Sequence, residues 1–268
     1  MKASIVESWA LTHLKEPKAK RNGEWIYLCP LHAEENPSFA LNPEKGVYKC
    51  FICGGGSVKE LAERLGVDPP GRNGLKPVGS LEAVYPYTDE AGAELFQGVR
   101  FKDPKSFRQR RSNGRGGWVW SLKDVRRVLY HLPEVRAAVE AGSRVFIAEV
   151  EKDVDRLRGL GLVATCNPMG AGKWETGYTE ALRGAVEAVI LPDHDRPGMK
   201  HAKQVANALH AAGIPTKVVP LFDGDLPENH GPDVSDWLAD GHTLADLAAR
   251  VEAAPGYTPA MFPDLAPD

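Results

Sequence analysis

The chain has 268 residues, 43% of them apolar and 26% charged, and a formal net charge of −3. That length holds one large domain or two small ones with ample material for a core, and the charge gives no general pull toward nucleic acid, so any such pull must be local. No apolar run approaches the roughly 18–20 residues of a membrane span. Glu7 and His13 fall where an export signal needs an apolar centre. A cytoplasmic, reducing location is expected, where four cysteines point to metal or free thiols and not to disulfides.

In chain order, residues 3–14 read as a short amphipathic helix, and 24–29 (EWIYLC) and 46–51 (GVYKCF) as strands rich in aromatic and β-branched residues. Ser57 and Glu60 form a capping box that opens a helix ending at Gly66. Residues 67–80 are dense in Pro and Gly and read as a linker. YPYTDEAGAELFQGVRF reads as a hairpin, followed by a basic stretch and a helical segment through LYHLPEVRAAVEA. From Ser143 the pattern alternates strand and helix: RVFIAE, EKDVDRLRG, LVAT, a loop and helix, AVIL, GMKHAKQVANALHAAG, TKVVPL. That rhythm predicts an α/β domain with a mainly parallel sheet. The closing EAAPGYTPAMFPDLAPD has four prolines and reads as a loose tail after a short helix. The expected division is a ribbon over 1–66, a linker over 67–80, a small basic α+β subdomain over 81–142, the parallel-sheet domain over 143–242, and a short helix and Pro-rich tail over 243–268.

Three constellations carry chemistry. Cys29-Pro-Leu-His32 and Cys50-Phe-Ile-Cys53 are two pairs with two residues between their members. Such pairs sit on tight knuckles, and two knuckles close a tetrahedron around Zn²⁺. Four protein ligands leave no open position, which makes the zinc structural. Gly54, Gly55 and Gly56 then fit a tight turn, and Cys166 reads as a buried, apolar-like residue.

Between Arg100 and Arg127 lie ten Lys or Arg against Asp103 and Asp124, a local charge of +8, with Phe107, Trp118 and Trp120 interleaved. Positive charge with π-faces suits a single nucleic-acid strand; a solvated basic face is the plainer reading. The compensating acid lies in Asp223–Asp240, with six acidic residues and no Lys or Arg.

Asp193 and Asp195 follow the AVIL strand, Glu149 ends RVFIAE, and Asp233 and Asp236 lie in GPDVSDWL beyond a third strand. In open parallel sheets ligands bind beyond the carboxyl ends of the strands. Carboxylates converging there repel unless a cation sits between them, and hard oxygen ligands suit Mg²⁺ or Mn²⁺. Such ions drive phosphoryl transfer.

The ordered set resembles DnaG-type primases. VFIAEVEKDVDRL and LPDHDRPG resemble the Toprim motifs, the Cys-His-Cys-Cys pattern resembles the family's zinc ribbon, a basic subdomain lies between, and LYHLPEV resembles a segment carried just before Toprim. The resemblance reaches to about His242. It implies synthesis of short RNA primers on single-stranded DNA from nucleoside triphosphates. Glu149, Asp193 and Asp195 are then metal ligands or base, with Asp233 a further Mg²⁺ or Mn²⁺ ligand, and Cys29, His32, Cys50 and Cys53 hold zinc. Arg100, Lys102, Arg108 and Arg110 become candidates for template and nucleotide contacts, and Lys152 and Lys173 for triphosphate contacts. A replicative helicase is the implied partner. The end soon after Toprim resembles compact phage or mobile-element forms. One departure stands out: the family carries Gly after the catalytic Glu, and here Val150 follows Glu149. Either the strand runs on with Val150 extended, or the turn keeps the family's shape and strains it. The alternatives are a Toprim nuclease and a non-catalytic single-strand-binding accessory.

Overall fold

The structure is a computed structural model that describes residues 5–14, 16–67, 69–70, 80–103, 105–114 and 118–262. By its contacts the chain forms two compact units, 1–84 with 99–123, and 85–98 with 124–268. Most of the expected linker, Arg115 and the last six residues lie outside the described residues.

The first unit opens with α1 (Ile5–Leu14). An antiparallel meander follows: β1 (Ala19–Arg21), β2 (Glu24–Tyr27), β3 (Phe39–Asn42), β4 (Val47–Cys50) and β5 (Gly54–Ser57), hydrogen-bonded in that order. Side chains alternate with period two, so Trp25 and Tyr27, Phe39 and Leu41, and Tyr48 and Cys50 all turn inward. They pack on Trp9 and Ala10 of α1 and on Val58, Leu61 and Ala62 of α2 (Val58–Leu65). The expected capping box is present: Ser57 Oγ accepts from Glu60 N at 3.2 Å, and Glu60 Oε2 accepts from Ser57 N at 2.7 Å.

The triple glycine departs from expectation. Gly54–Ser57 is a strand paired with Cys50–Val47, the turn falls on residues 51–53, and of the three glycines only Gly54 takes a positive φ, +80°. The pairing is close: a Cβ on Gly55 would lie 2.8 Å from the Tyr48 carbonyl oxygen.

The expected hairpin is β6 (Ser80–Thr88) and β7 (Glu94–Lys102). With β8 (Ser106–Ser112) and β9 (Trp118–Val119) it gives the strand order β6-β7-β8-β9.

The second unit continues with α3 (Leu132–Glu140), β10 (Val145–Ile147), α4 (Glu151–Arg158), β11 (Ala164–Thr165), α5 (Thr176–Ala181), β12 (Ala188–Ile190), α6 (Arg196–Ala211), β13 (Thr216–Val218), α7 (Val234–Ala239) and α8 (Leu244–Ala253). β10 to β13 form a four-stranded sheet, parallel throughout, in the order β11-β10-β12-β13. β10 and β12 are buried at every position, as expected of a sheet covered on both faces. The core joins Val145, Ile147, Ala188 and Ile190 to Ala202, Val205, Ala206 and Leu209 of α6.

The chain leaves β10 toward β11 on one side, then returns to β12 on the other. β10 and β12 therefore flank the topological switch point, where such sheets hold ligands.

The segment expected as a loose tail is docked as far as Phe262. Tyr257 is buried, its N–H donates to Thr216 O at 2.7 Å, and its hydroxyl donates to Asn207 Oδ1 at 2.8 Å. A ring-sized apolar anchor outweighs the prolines around it.

Candidate metal centres

In the ribbon, the ligand atoms of Cys29, His32, Cys50 and Cys53 lie within 4.8 Å of one another, the one such group among the described residues. The local chain explains why. Each Cys-x₂ pair folds so that the second residue after its first cysteine turns an N–H back to the sulfur. Leu31 N is 3.5 Å from Cys29 Sγ, and Ile52 N is 3.4 Å from Cys50 Sγ, joined there by Cys53 N at 3.3 Å. Burial opposes ionisation of Cys50, yet the Ser38 hydroxyl and the Cys53 and Ile52 N–H groups bring its thiol down to about 6. His32 Nδ1 lies 3.1 Å from Cys53 Sγ and 4.0 Å from Cys50 Sγ. Three sulfurs and one imidazole nitrogen around one point fit tetrahedral zinc with no open position.

In the parallel-sheet unit, Glu149 follows β10 and Asp193 follows β12, so both stand at the carboxyl edge of the switch point. Asp195 is the N-cap of α6 and is held at both oxygens: Oδ1 accepts from Gly198 N at 2.8 Å and Oδ2 from Gly231 N at 3.0 Å. Both glycines are required by close approach. A Cβ on Gly198 would lie 2.6 Å from Asp193 O, and one on Gly231 would lie 2.0 Å from His194 O. The Asp-x-Asp-Arg-Pro-Gly stretch is thus a strand end turned at once into a helix, with Pro197 in the first turn where its missing N–H costs nothing. Asp233 caps α7, accepting from Ser235 N and Asp236 N at 2.9 and 3.1 Å, while Asp236 closes the capping box on Asp233 N at 3.0 Å.

The rim is short of positive charge. Burial, then the Asp195, Asp153 and Asp233 carboxylates, push Glu149 up to about 7. Burial, then Glu149, Asp153, Asp233 and Asp195, push Asp193 up to about 8. Asp153 on α4 is fully buried, and its Oδ2 has no hydrogen-bond partner among the described residues. Its Oδ1 accepts from the Ser235 hydroxyl. Lys152 supplies one cation: its ammonium pairs with Asp233 and stands 3.2 Å from Asp153. Burial works against that charge, but the two carboxylates outweigh it and raise the lysine's pKa. Hard, mutually repelling oxygens with an orphaned buried lone pair fit a divalent cation, although among the described residues they do not converge as the zinc ligands do.

Val150 is extended, at φ −132° and ψ 158°, and serves as the N-cap of α4 without a side-chain cap. The strained alternative does not arise.

Three residues escaped the sequence reading. Asp153 sits in the first turn of a helix, where an acid reads as a partner of the helix dipole. His201 and Asn167, both buried, form a network: Gly172 N–H donates to His201 Nδ1 at 3.1 Å, His201 Nε2 faces Asn167 Oδ1 at 3.1 Å, and Asn167 Nδ2 donates to Gly170 O at 2.8 Å. A methyl on Gly170 would lie 3.8 Å from Glu149 O and 3.9 Å from its Oε1, so this loop packs on the catalytic-site candidate. The signal was a histidine on the apolar stripe of α6, between Met199 and Ala202. Lys173 follows that loop and is exposed.

The basic stretch divides between the units, with 100–123 in the first. Its aromatic rings already carry arginines: Arg110 lies 3.9 Å from the Trp118 ring centroid, and Arg108 5.8 Å from that of Trp120. Arg100 pairs with Glu82 at 2.7 Å and lies 5.5 Å from the Phe107 ring centroid. Lys102 is exposed. The faces expected to stack bases are shared with guanidinium groups.

Comparison with known proteins bears first on the ribbon. Residues 5–66 match the CHC2 zinc finger of the DnaG zinc-ribbon family. The chain is also similar to DNA primases. The primase of Pseudomonas putida is 28% identical over 164 residues, covering 48% of this chain and 25% of the relative. That of Lactococcus lactis is 40% identical over 73 residues, covering 26% and 10%. The chain thus spans a quarter or less of these relatives' length. Among solved structures, the zinc-binding and RNA polymerase domains of Aquifex aeolicus primase match with a TM-score of 0.48 at 18% identity, over 96% of this chain and 87% of that one. The DnaG primase catalytic domain bound to single-stranded DNA matches with 0.47 at 20% identity, over 74% and 63%.

Proposed function

We propose that this chain is a DNA primase that makes short RNA primers on single-stranded DNA from nucleoside triphosphates. The observation that carries this reading is the pairing of Glu149 and Asp193 at the switch point of a parallel sheet, in a chain whose ribbon matches the CHC2 zinc finger. Bound Mg²⁺ or Mn²⁺ would supply activation of the attacking oxygen and charge stabilisation of the leaving one. Glu149, Asp193, Asp195 and Asp233 would hold it. Asp195 is fixed by two backbone N–H groups, so its place is set before any ligand arrives. The Gly170–Gly172 loop packs on Glu149 and limits that carboxylate's freedom. Lys173, Lys152, Arg100, Lys102, Arg108 and Arg110 are the proposed contacts to triphosphate and template, with a replicative helicase as partner.

One assay separates this from the other readings: single-stranded template, labelled nucleoside triphosphates and Mg²⁺ or Mn²⁺. New short strands support a primase, and a shortened template supports a nuclease. A gel shift with neither supports a binding accessory. Strain at Val150 would favour the accessory reading, and the extended backbone does not carry it.

A further inference from the structure

Glu34 lies two residues beyond His32 and is not one of the four ligands, yet both of its carboxylate oxygens are engaged within the ribbon. Its Oε1 accepts from Cys29 N at 2.6 Å and from Ser38 N at 3.0 Å. Its Oε2 accepts from the Ser38 hydroxyl and stands 3.1 Å from His32 Nε2. That last contact is electrostatic: His32 Nε2 has no hydrogen-bond partner among the described residues. The Glu34 side chain is only 10% exposed.

These contacts divide the His32 ring. Nδ1 faces the sulfurs of Cys53 and Cys50, and Nε2 faces the carboxylate. A carboxylate beside Nε2 favours the tautomer with the proton there. The Nδ1 lone pair is then left for the metal, and the ring is a stronger donor. The same carboxylate ties the backbone of the first knuckle at Cys29 to Ser38, whose hydroxyl lies 3.5 Å from Cys50 Sγ on the second knuckle. Glu34 faces Nε2 and the sulfurs face Nδ1, and its oxygens do not join the convergent group of four ligand atoms. Neighbouring Glu35 is exposed.

We propose that Glu34 is a positioning residue of the zinc centre, which selects Nδ1 of His32 as the ligand atom and joins the two knuckles through Cys29 and Ser38. Glutamine at this position keeps the size and one carbonyl acceptor, but it removes the charge beside Nε2.

The test uses the full zinc-loaded chain and competition with a chromophoric chelator. Glu34→Gln is expected to weaken zinc binding 10–100-fold, within the range for outer partners of metal ligands, and Glu35→Gln to leave it within twofold. Nitrogen-15 spectra of the His32 ring are read alongside. The parent is expected to show metal-bound Nδ1 and protonated Nε2, a result that needs no variant and that loss of packing alone would not produce. In Glu34→Gln a second, Nε2-bound population or faster exchange of the Nε2 proton is expected. Zinc ligated through Nε2 in the parent overturns the proposal, as does a Glu34→Gln protein with parental zinc affinity. Neither readout depends on primer synthesis, so the proposal and the polymerase reading succeed or fail separately.

Discussion

Burial and four neighbouring carboxylates, Glu149 first, push Asp193 up to about 8. Asp193→Asn removes one of the repelling charges. In zinc-loaded protein at pH 8 without Mg²⁺ or Mn²⁺, relief of about 1 kcal/mol raises the melting temperature by about 2–4 °C, while synthesis measured with Mg²⁺ or Mn²⁺ added falls by orders of magnitude. Scanning calorimetry and the priming assay read the two effects, and a lower melting temperature would show that the rim is not self-repelling. His201 titrates with the opposite sense. Burial lowers it from 6.5 to about 4, so its contribution to stability is full above pH 6.5 and is lost as pH falls toward 4. The loss is roughly 3 kcal/mol at most. Urea unfolding of the parent and of His201→Asn at pH 7.5 and 4.5 isolates it: the gap between the two proteins narrows at the lower pH, and a constant gap refutes the shift. Gly198→Ala places a Cβ 2.6 Å from the Asp193 carbonyl oxygen. It is expected to cost about 1–3 kcal/mol and to lower synthesis by moving Asp193.

At the scale of elements, the legible parts were those with a strong period. β10, β12 and α6 declared themselves by buried runs and an apolar stripe. The pairing of Glu149 with Asp193–Asp195 followed from where those runs ended. β8 did not declare itself, because SFRQRRS buries neither face and carries no period-two signal. β5 was concealed by glycine, whose usual reading is a turn and whose use here is a close strand pairing. The role of Asp153 was hidden because burial, not residue type, distinguishes it from any acid in a first helical turn. Val150 shows the reverse case, where sequence raised a question that one torsion answers: extended backbone tolerates a β-branched residue. Val150→Gly is therefore expected to leave synthesis within about threefold. Stability should change by no more than about 0.5 kcal/mol, since a better N-cap offsets the added unfolded-state entropy. A tenfold rise in rate would restore the idea that Val150 limits the site.

For the whole molecule, a net charge of −3 conceals a separation of charge along the chain, basic over 100–127 and acidic over 223–240. If the basic stretch follows a single strand, template affinity falls with salt at a log–log slope of about −0.7 per phosphate neutralised. Arg108→Ala with Arg110→Ala then makes the slope shallower, by roughly 1.4 if each arginine meets a phosphate. The central claim is that Glu149 and its companions act on the nucleotide and not on the template. The most direct test measures primer synthesis and template binding together for the parent and Glu149→Gln, with zinc loaded and Mg²⁺ or Mn²⁺ present. The account predicts short new strands from the parent, none from Glu149→Gln, and template affinity within about twofold between them. Undiminished synthesis by Glu149→Gln, or no synthesis by the parent on any single-stranded template, would contradict it.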